Sequence, residues 1–546
     1  ALLERRGATV ALVTTGGLRD VIEIGRQDRP SLYDQLASRP EPLVPRALRY
    51  EVAGRLAADG AELAPVAVGD EDLPAVDPAA ETVAVCLLHA DIEPAHERAV
   101  AAALRARGHD VTCSHEVSPE MREVERTVTT VINAALRPLC RAYLRGIDDL
   151  AGEVLVMTSS GGLLPAAEAA DLPAALLLSG PAGGVRAGAA AAVANGFADA
   201  VTFDMGGTST DVCLILDGAP APAAERQVAG FTVRFPALDV HTIGAGGGSL
   251  ARIDPGGALV VGPQSAGADP GPACYGRGGD RPTVTDADLV AGRIPVEAAF
   301  GGLRLDRAAA AAALAGAGVT AGGVIAVVDA NMERALRAVS VERGVDPRGL
   351  ALVAFGGAGA LHACALADAL GMPAVVVPAR AGVLSAVGLL TAPRRRDLVR
   401  SWPTPDDHAG LTGAAAALAR EAVALVGDDD AAVATAFDCR YRGQSHEITV
   451  PAVDAFGDEH RRRNGYARPG DPVEVVAVRA VATRPPAVAA DRVPDPPARI
   501  DGPVTGPAVI AEPDCTIWVA DGWEARAGAA GALVLRRAPG GGGGPA

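Results

Sequence analysis

Apolar and polar positions in the first third of the chain follow an order of strands and helices. Short apolar runs at 8–15 and 83–89 predict buried strands. A helix from about Pro94 to Arg107 is predicted before a strand at 110–114, and a longer helix from about Met121 to Gly146. Strand, helix and strand at this spacing indicate an α/β protein.

Glycine-rich turns separate the predicted elements in the middle of the chain. A strand ending in glycines, VLVMTSSGG, spans 154–162, and an alanine-rich helix follows the glycine turn in the segment 179–196. Residues 350–371 read as strand, glycine turn and helix. These segments repeat the alternation of strand and helix seen in the first third of the chain.

The pattern changes after Arg396. Residues 437–450, 473–482 and 515–519 alternate between apolar and polar positions, as half-exposed strands do. We therefore expect a separate β-rich C-terminal domain over 410–538, followed by a flexible glycine-rich tail over 539–546.

The most informative stretch is Val201–Leu216, which reads VTFDMGGTSTDVCLIL. Two apolar strands flank a turn of small residues, and Asp204 and Asp211 bracket that turn. The turn itself consists of Gly206, Gly207, Thr208, Ser209 and Thr210. Glycine lets the backbone approach a ligand, and hydroxyls beside free N–H groups suit phosphate oxygens. The aspartates repel phosphate, so we expect them to hold a divalent cation against it, directly or through water. The alternative is a hairpin whose turn is merely rich in Gly, Ser and Thr.

A second glycine turn lies in the segment FGGAGALH, where Gly356, Gly357 and Gly359 separate a strand from a helix N-terminus. The N–H groups and dipole of a helix N-terminus favour an anion or a nucleotide. The alternative is a tight turn that needs glycine only for its shape. His362 follows in the first helical turn, where it either touches a ligand or only caps and packs the helix.

A third segment, GAGGGS, contains Gly246 and Gly247 and predicts another backbone cradle for the cofactor or a mobile flap. A flexible loop is an equal alternative. Just before it, His241 lies two residues from Asp239, and His241 is a candidate catalytic acid/base group or metal ligand. Asp286 and Asp288 are candidates for the same roles. A solvated turn carboxylate is an equal alternative for Asp286 and the favoured one for Asp288.

The amino-acid composition excludes several classes of partner and of catalytic residue. The 546 residues suggest about two to four domains. The net charge of −17 argues against nucleic acid as a partner, because phosphate-backbone binding needs a basic surface. All 49 basic residues are arginine, which excludes a P-loop lysine, a protein-kinase lysine and a Schiff-base lysine. The 8 cysteines form no C-x-x-C pair, so the sequence signals neither a zinc site nor a disulfide framework.

The apolar runs predict no membrane partner. The longest uncharged run, 308–328, is interrupted by glycines and lacks bulky side chains, so it is a poor candidate for a membrane span. Scattered, apolar cysteine positions and acidic charge are typical of a cytoplasmic enzyme. The chain begins at Ala1 with a charged segment, and we expect it to start inside a larger protein.

The sequence DMGGTSTD resembles the phosphate-binding hairpin of the actin-like ATPase and sugar kinase superfamily, and more closely the second such hairpin of the hydantoinase A / 5-oxoprolinase family. Further segments that resemble this family occur along nearly the whole chain: TTGGLRDVIEIGRQDRPSLYD, HADIEPAHERAV, SHEVSPEMREVERTVTTVINA, SSGG, LSGPAGGV, TFDMGGTSTDVCL, DVHTIGAGGGSLARID, VGPQSAGADPGPACYGRGG, TVTDADLV, VSVERGVDPR, FGGAGALHA, SAVGLL and RYRGQSHEITVP. The resemblance implies actin-like (ribonuclease H-like) ATPase lobes. It assigns 1–116 to a partial N-terminal region and 130–397 to the nucleotide-binding domain.

The resemblance also implies an activity. Family members use ATP with Mg²⁺ (or Mn²⁺) to phosphorylate the carbonyl oxygen of a small cyclic amide, a hydantoin or 5-oxoproline, so that water can open the ring. A hydantoinase B-type subunit is the expected partner. Related ketone carboxylases use the same activation. The family's first phosphate hairpin should lie just before Ala1, and Ala360 and Asn464 replace the family's usual Pro and Tyr. A non-catalytic actin-like binding module is therefore a further alternative.

Overall fold

The computed structural model of the chain describes all residues except 1, 3, 4, 28, 35, 149, 298–303, 490, 491, 495–498 and 539–546. The predicted tail over 539–546 therefore lies outside the described residues. The chain forms two compact units. Unit 1 comprises Ala1–Ser179, Ala223–Ala237 and Pro393–Pro486, and unit 2 comprises Gly180–Pro222, Leu238–Ala392 and Ala487–Ala546.

Unit 1 contains two principal sheets. A four-stranded parallel sheet has the order Arg49–Val52, Val10–Thr15, Thr82–Cys86 and Val111–Cys113. A six-stranded sheet has the order Ile448–Val450, Ala432–Tyr441, Val473–Arg484, Arg394–Ser401, Leu163–Pro165 and Leu155–Met157. Small antiparallel pairs join Arg55–Leu56 to Glu62–Ala64 and Pro222–Val228 to Phe231–Leu238.

The helices of unit 1 cover these sheets: Val21–Ile24, Ala95–Ala106, Ser114–Val117, Glu123–Asp148, Ala166–Asp171, Leu411–Val426 and Phe456–Asn464. Val10–Thr15 is buried along its whole length, as expected of an apolar strand between two parallel neighbours. The helix predicted from about Met121 to Gly146 runs from Glu123 to Asp148, so the apolar periodicity locates it within two residues.

Unit 2 is built on a nine-stranded sheet. Its order is Ala219–Pro220, Thr210–Leu216, Ala200–Met205, Ala351–Phe355, Val375–Val377, Leu533–Arg537, Trp523–Ala527 and Val504–Thr505, and Val240–Ile243 also pairs with Thr210–Leu216. Two further antiparallel pairs are Ser249–Ile253 with Leu259–Ser265 and Ala508–Ala511 with Thr516–Val519. The helices are Gly180–Ala194, Val284–Val290, Arg307–Gly316, Ala321–Val339, Gly359–Leu370 and Leu384–Leu390.

Three strands of this sheet, Ala200–Met205, Ala351–Phe355 and Val375–Val377, are parallel neighbours. Their carboxyl ends therefore meet at one edge of the sheet. The turns after the first two strands are the two glycine-rich turns that the sequence singles out. This edge is where ligands bind in open α/β sheets.

The separate C-terminal β-rich domain expected over 410–538 is not formed. Ala432–Tyr441 and Val473–Arg484 belong to the six-stranded sheet of unit 1, whereas Leu533–Arg537 pairs antiparallel with Val375–Val377 in unit 2. Residues 130–397 are likewise divided between the units. Alternation predicts a strand but carries no information about its partner, so sequence alone could not assign these strands.

No single helix among the described residues is both long and apolar enough to cross a membrane. One consecutive pair, Arg307–Gly316 and Ala321–Arg343, meets the length and composition criteria together, but the pair is bent by 81°.

Candidate functional site

The site lies in unit 2, where Asp204 and Asp211 face each other across the antiparallel hairpin. Directly opposite residues of such a pair point to the same face of the sheet. Burial raises the pKa of Asp204 to about 6, and the like charge of Asp211 acts in the same direction. Burial also raises the pKa of Asp211, although the Thr242 hydroxyl donates a hydrogen bond that opposes the rise.

Neither carboxylate is paired with a cationic side chain in the described part of the protein. Among the described residues, no arginine or histidine forms an ion pair with Asp204 or Asp211. Two carboxylates that share a partly buried face without a cation repel each other. Carboxylate oxygens are the preferred ligands of Mg²⁺, so this pair suits a divalent ion.

The turn between the two strands supplies hydrogen-bond donors. The N–H of Gly206 donates to the Ser209 carbonyl at 3.0 Å and closes the turn. Gly207 and Thr208 are exposed, and their N–H groups have no acceptor within the described part of the chain. Thr210 differs from its neighbours, because it is buried and its hydroxyl donates to the Ala245 carbonyl at 2.6 Å. Within the described residues the N–H groups of Gly207 and Thr208 are thus free to bind a ligand, whereas the Thr210 hydroxyl stabilises the fold.

The segment around Gly246 and Gly247 packs against this turn and is hydrogen-bonded to it. The N–H of Gly247 donates to the Gly206 carbonyl at 2.9 Å. A Cβ on Gly246 would lie 2.7 Å from the same carbonyl oxygen, so only glycine fits there. Both glycines are buried. The structure therefore places Gly246 and Gly247, which we expected to contact the cofactor, as supports of the hairpin turn.

The second glycine turn touches the first aspartate directly. Gly356 has a φ of +78°, and a Cβ there would lie 2.5 Å from Asp204 Oδ1. The N–H of Ala358 donates to the Met205 carbonyl at 3.1 Å and fixes the turn against the hairpin strand. Gly357 is exposed, with open space around it and no acceptor for its N–H in the described residues. Gly359 is buried and begins the helix Gly359–Leu370, where its Cβ position lies 3.2 Å from the Phe203 carbonyl.

His241 does not lie beside Asp204 and Asp211. It lies opposite Val212 in the sheet, whereas Thr242 lies opposite Asp211. Because side chains alternate between the faces of a strand, His241 is on the face away from Asp204 and Asp211.

Asp286 and Asp288 are both buried, so the interpretation of them as solvated turn carboxylates is wrong. Asp286 accepts hydrogen bonds from the N–H groups of Cys274 and Thr283 and from the Thr283 hydroxyl, so it caps the helix Val284–Val290. Asp288 lies 3.3 Å from the buried imidazole of His362. The T-x-x-D spacing of a capping box could have identified Asp286, but no local pattern links Asp288 to His362.

Comparisons with known proteins agree with the motifs. The sequence model of the hydantoinase/oxoprolinase family matches residues 126–397, and the model of that family's N-terminal region matches residues 1–108. Caprolactamase subunit alpha of Pseudomonas jessenii is 33% identical over 528 residues, which cover 87% of this chain and 75% of that protein. The 5-oxoprolinase 1 of Arabidopsis thaliana is 33% identical over 447 residues, which cover 71% of this chain but 35% of that protein.

A solved structure of a relative has the same fold as this chain. The crystal structure of the ATP-dependent caprolactamase from Pseudomonas jessenii superposes with a TM-score of 0.82 at 30% identity, covering 99% of this chain and 89% of that chain. The predicted fold class, α/β with actin-like ATPase lobes, is confirmed. The chain belongs to the hydantoinase/oxoprolinase family.

Proposed function

We propose that the chain is the nucleotide-binding part of an enzyme that uses ATP to open a small cyclic amide. The observation that carries the proposal is the pair Asp204 and Asp211, which has no cationic partner among the described residues and lies beside exposed N–H donors. Two relatives are named for caprolactam and 5-oxoproline, which are both cyclic amides, and the solved relative is described as ATP-dependent.

The donor set fits a divalent ion and a phosphate chain together. Asp204 and Asp211 would hold Mg²⁺ or Mn²⁺, directly or through water, and the ion would spread the negative charge of the transferring phosphoryl group. The N–H groups of Gly207, Thr208 and Gly357, with the Thr208 and Ser209 hydroxyls, would bind phosphate oxygens. Gly356 keeps the space beside Asp204 free of a side chain.

The proposed chemistry overcomes the resonance of the amide. The γ-phosphoryl group leaves ADP and bonds to the amide carbonyl oxygen, which makes the carbonyl carbon electrophilic. Water adds to that carbon, and the ring C–N bond breaks with a proton going to nitrogen, which leaves an acyl phosphate. A second water then hydrolyses the acyl phosphate to the carboxylic acid and phosphate. The net products are ADP, phosphate and the ring-opened amino acid. Backbone donors arranged before the reaction stabilise such developing charge without reorganising.

We further propose that the substrate reaches this site in an assembly with a hydantoinase B-type subunit. The name of the caprolactamase relative, subunit alpha, supports a partner of some kind. Such a division would leave nucleotide binding to this chain.

The test is ADP release by the purified protein together with a B-type polypeptide from the same organism. We expect at least one of caprolactam, a hydantoin and 5-oxoproline to stimulate ATP turnover in the presence of Mg²⁺. If no cyclic amide does so, the hydrolase proposal is wrong. Turnover that requires bicarbonate and a ketone would instead identify a ketone carboxylase.

A further inference from the structure

A second group of charged residues lies in the core of unit 2, centred on His362. Its Nδ1 atom is 2.7 Å from Asp329 Oδ1, and its Nε2 atom is 3.3 Å from Asp288 Oδ2. His362 is fully buried and Asp288 is 1% exposed, while the Asp329 side chain is 18% exposed. The three residues come from three helices, Gly359–Leu370, Val284–Val290 and Ala321–Val339.

The charges in this cluster balance when the imidazole is protonated. Burial by itself lowers the pKa of His362, but Asp288 and Asp329 outweigh it and raise the pKa to about 10. Arg293 supplies the other positive charge, because its Nη1 atom lies 3.7 Å from Asp288 Oδ1 and donates to the Leu361 carbonyl at 3.1 Å. An imidazolium carries an N–H on both nitrogens. Nδ1 bonds to Asp329, whereas Nε2 and Asp288 form an ion pair at 3.3 Å, because neither Nε2 nor the Asp288 oxygens have a hydrogen-bond partner among the described residues.

The helix that carries Asp288 is linked to the hairpin turn by hydrogen bonds. The helix of Asp288 begins beside Thr285, whose N–H and hydroxyl both donate to the Gly247 carbonyl at 2.8 Å. Gly247 in turn donates to the carbonyl of Gly206 in the hairpin turn. The position of Asp288 is therefore connected to that turn through backbone hydrogen bonds.

The helix that carries His362 is linked to the Gly356 turn. His362 lies in the first turn of the helix that begins at Gly359, two residues after the exposed Gly357. Ala358 is bonded to the Met205 carbonyl next to Asp204. A shift of this helix relative to the helix of Asp288 would thus change the separation of the two glycine turns.

We propose that His362 is a positioning residue, which fixes the Gly356 turn relative to the hairpin turn by binding Asp288 and Asp329 as an imidazolium. His362 does not itself touch the reacting atoms. Its geometric role is independent of the ligand, and its effect on ATP rests on the function proposed above.

The first test needs no nucleotide. Hydrogen–deuterium exchange of the whole chain is measured for the wild type and for His362→Gln in peptides covering 203–211 and 355–362. We expect exchange in both peptides to accelerate several-fold in the variant, because both turns lose a shared anchor. His460→Gln is the matched control. His460 is also buried, but its ring nitrogens bond to the Gln444 amide and the Tyr466 carbonyl, and all of these residues lie in unit 1.

The second test is ATP binding in the presence of Mg²⁺ between pH 7 and pH 10.5. We expect His362→Gln to weaken binding on the order of tenfold at pH 7, as is typical for residues within one coupled network. The wild type should lose affinity as pH approaches 10, whereas the variant should not show that loss. The chain has no lysine, burial raises the pKa of all 8 cysteines, and the 6 tyrosines are common to both proteins, so the difference between the two pH profiles isolates His362.

The outcomes separate the two proposals. Unchanged exchange in both peptides of a folded His362→Gln variant overturns the positioning role, whatever ATP does. Accelerated exchange without any ATP binding by the wild type supports the positioning role and overturns the proposed function. If His362→Gln does not fold, Asp329→Asn replaces it, because this substitution removes one carboxylate at the edge of the cluster and should give a smaller acceleration in the same two peptides.

Discussion

Two of the carboxylate pairs in unit 2, Asp288 with Asp329 and Asp204 with Asp211, are neutralised differently. Asp288 and Asp329 have the His362 ring between them. Asp204 and Asp211 face each other with no ion-pairing arginine or histidine among the described residues. Because buried like charges repel, the first pair carries its own cation and the second pair is suited to take one from solution.

The surroundings of the two pairs agree with this difference. Asp288 is enclosed by helices, and His362 is fully buried. The hairpin pair instead lies beside Gly207, Thr208 and Gly357, which are all exposed. The comparison indicates that a buried acid pair marks a binding site when its cation is missing and its surroundings are open.

The largest effect should come from removing a charge of the open pair. We predict that Asp204→Asn lowers the rate of Mg²⁺-dependent ATP turnover by about a hundredfold or more, a loss typical of removing one electrostatic partner in such a site. Steady-state ADP release measures it. The matched control is Asp239→Asn, because Asp239 precedes the neighbouring edge strand but pairs with Arg343. Equal turnover by Asp204→Asn and the wild type would remove Asp204 from the mechanism.

The next effect concerns the space beside Asp204. We predict that Gly356→Ala weakens binding of ATP with Mg²⁺ by about tenfold, because its Cβ would lie 2.5 Å from Asp204 Oδ1. The unfavourable φ adds a loss of about 1 kcal/mol in unfolding free energy. Gly344→Ala carries the same backbone penalty at φ +75° but meets nothing within 4 Å. Similar affinities for the two variants would show that crowding at Asp204 is unimportant.

A smaller effect should appear in the pH dependence of stability. The folded-state pKa of His362 is raised from 6.5 to about 10, so its contribution to the unfolding free energy is fully present below pH 6.5. We predict that this contribution declines as pH rises from 6.5 and is lost near pH 10. Urea unfolding across this range should show the decline in the wild type and a flatter profile in His362→Gln. Identical slopes would mean that the imidazole is not charged in the folded state.

The smallest effect is expected at His241. This residue lies on the opposite face of the sheet from the open pair, so His241→Asn should change kcat/KM for ATP by no more than about twofold. A loss comparable to that of Asp204→Asn would contradict the geometry and restore His241 as a catalytic candidate.

Sequence alone could predict the parts of the site that are local. The hairpin with its two acids and the Gly356 turn each lie within one short segment, so residue type and spacing identify them. The actin-like fold class follows from the same motifs.

The long-range parts could not be predicted. The burial of Gly246 and Gly247 depends on their contact with the hairpin turn, which lies in another segment of the chain. The grouping of His362 with Asp288 and Asp329 depends on how three helices pack. The segments after residue 410 form strands as predicted, although Val473–Arg484 is buried over five consecutive residues and does not alternate there. These strands join sheets in both units, because pairing is set by tertiary contacts.

The central claim is that Asp204 and Asp211 form the cation site that couples Mg²⁺ to ATP binding. Isothermal titration calorimetry of ATP binding to the whole chain, with Mg²⁺ and with a chelator, tests it most directly. We predict that Mg²⁺ tightens ATP binding by at least about tenfold in the wild type and in Asp239→Asn, and that this gain disappears in Asp204→Asn and Asp211→Asn. Binding that is equally tight with and without Mg²⁺, or a gain that survives both substitutions, would contradict the claim.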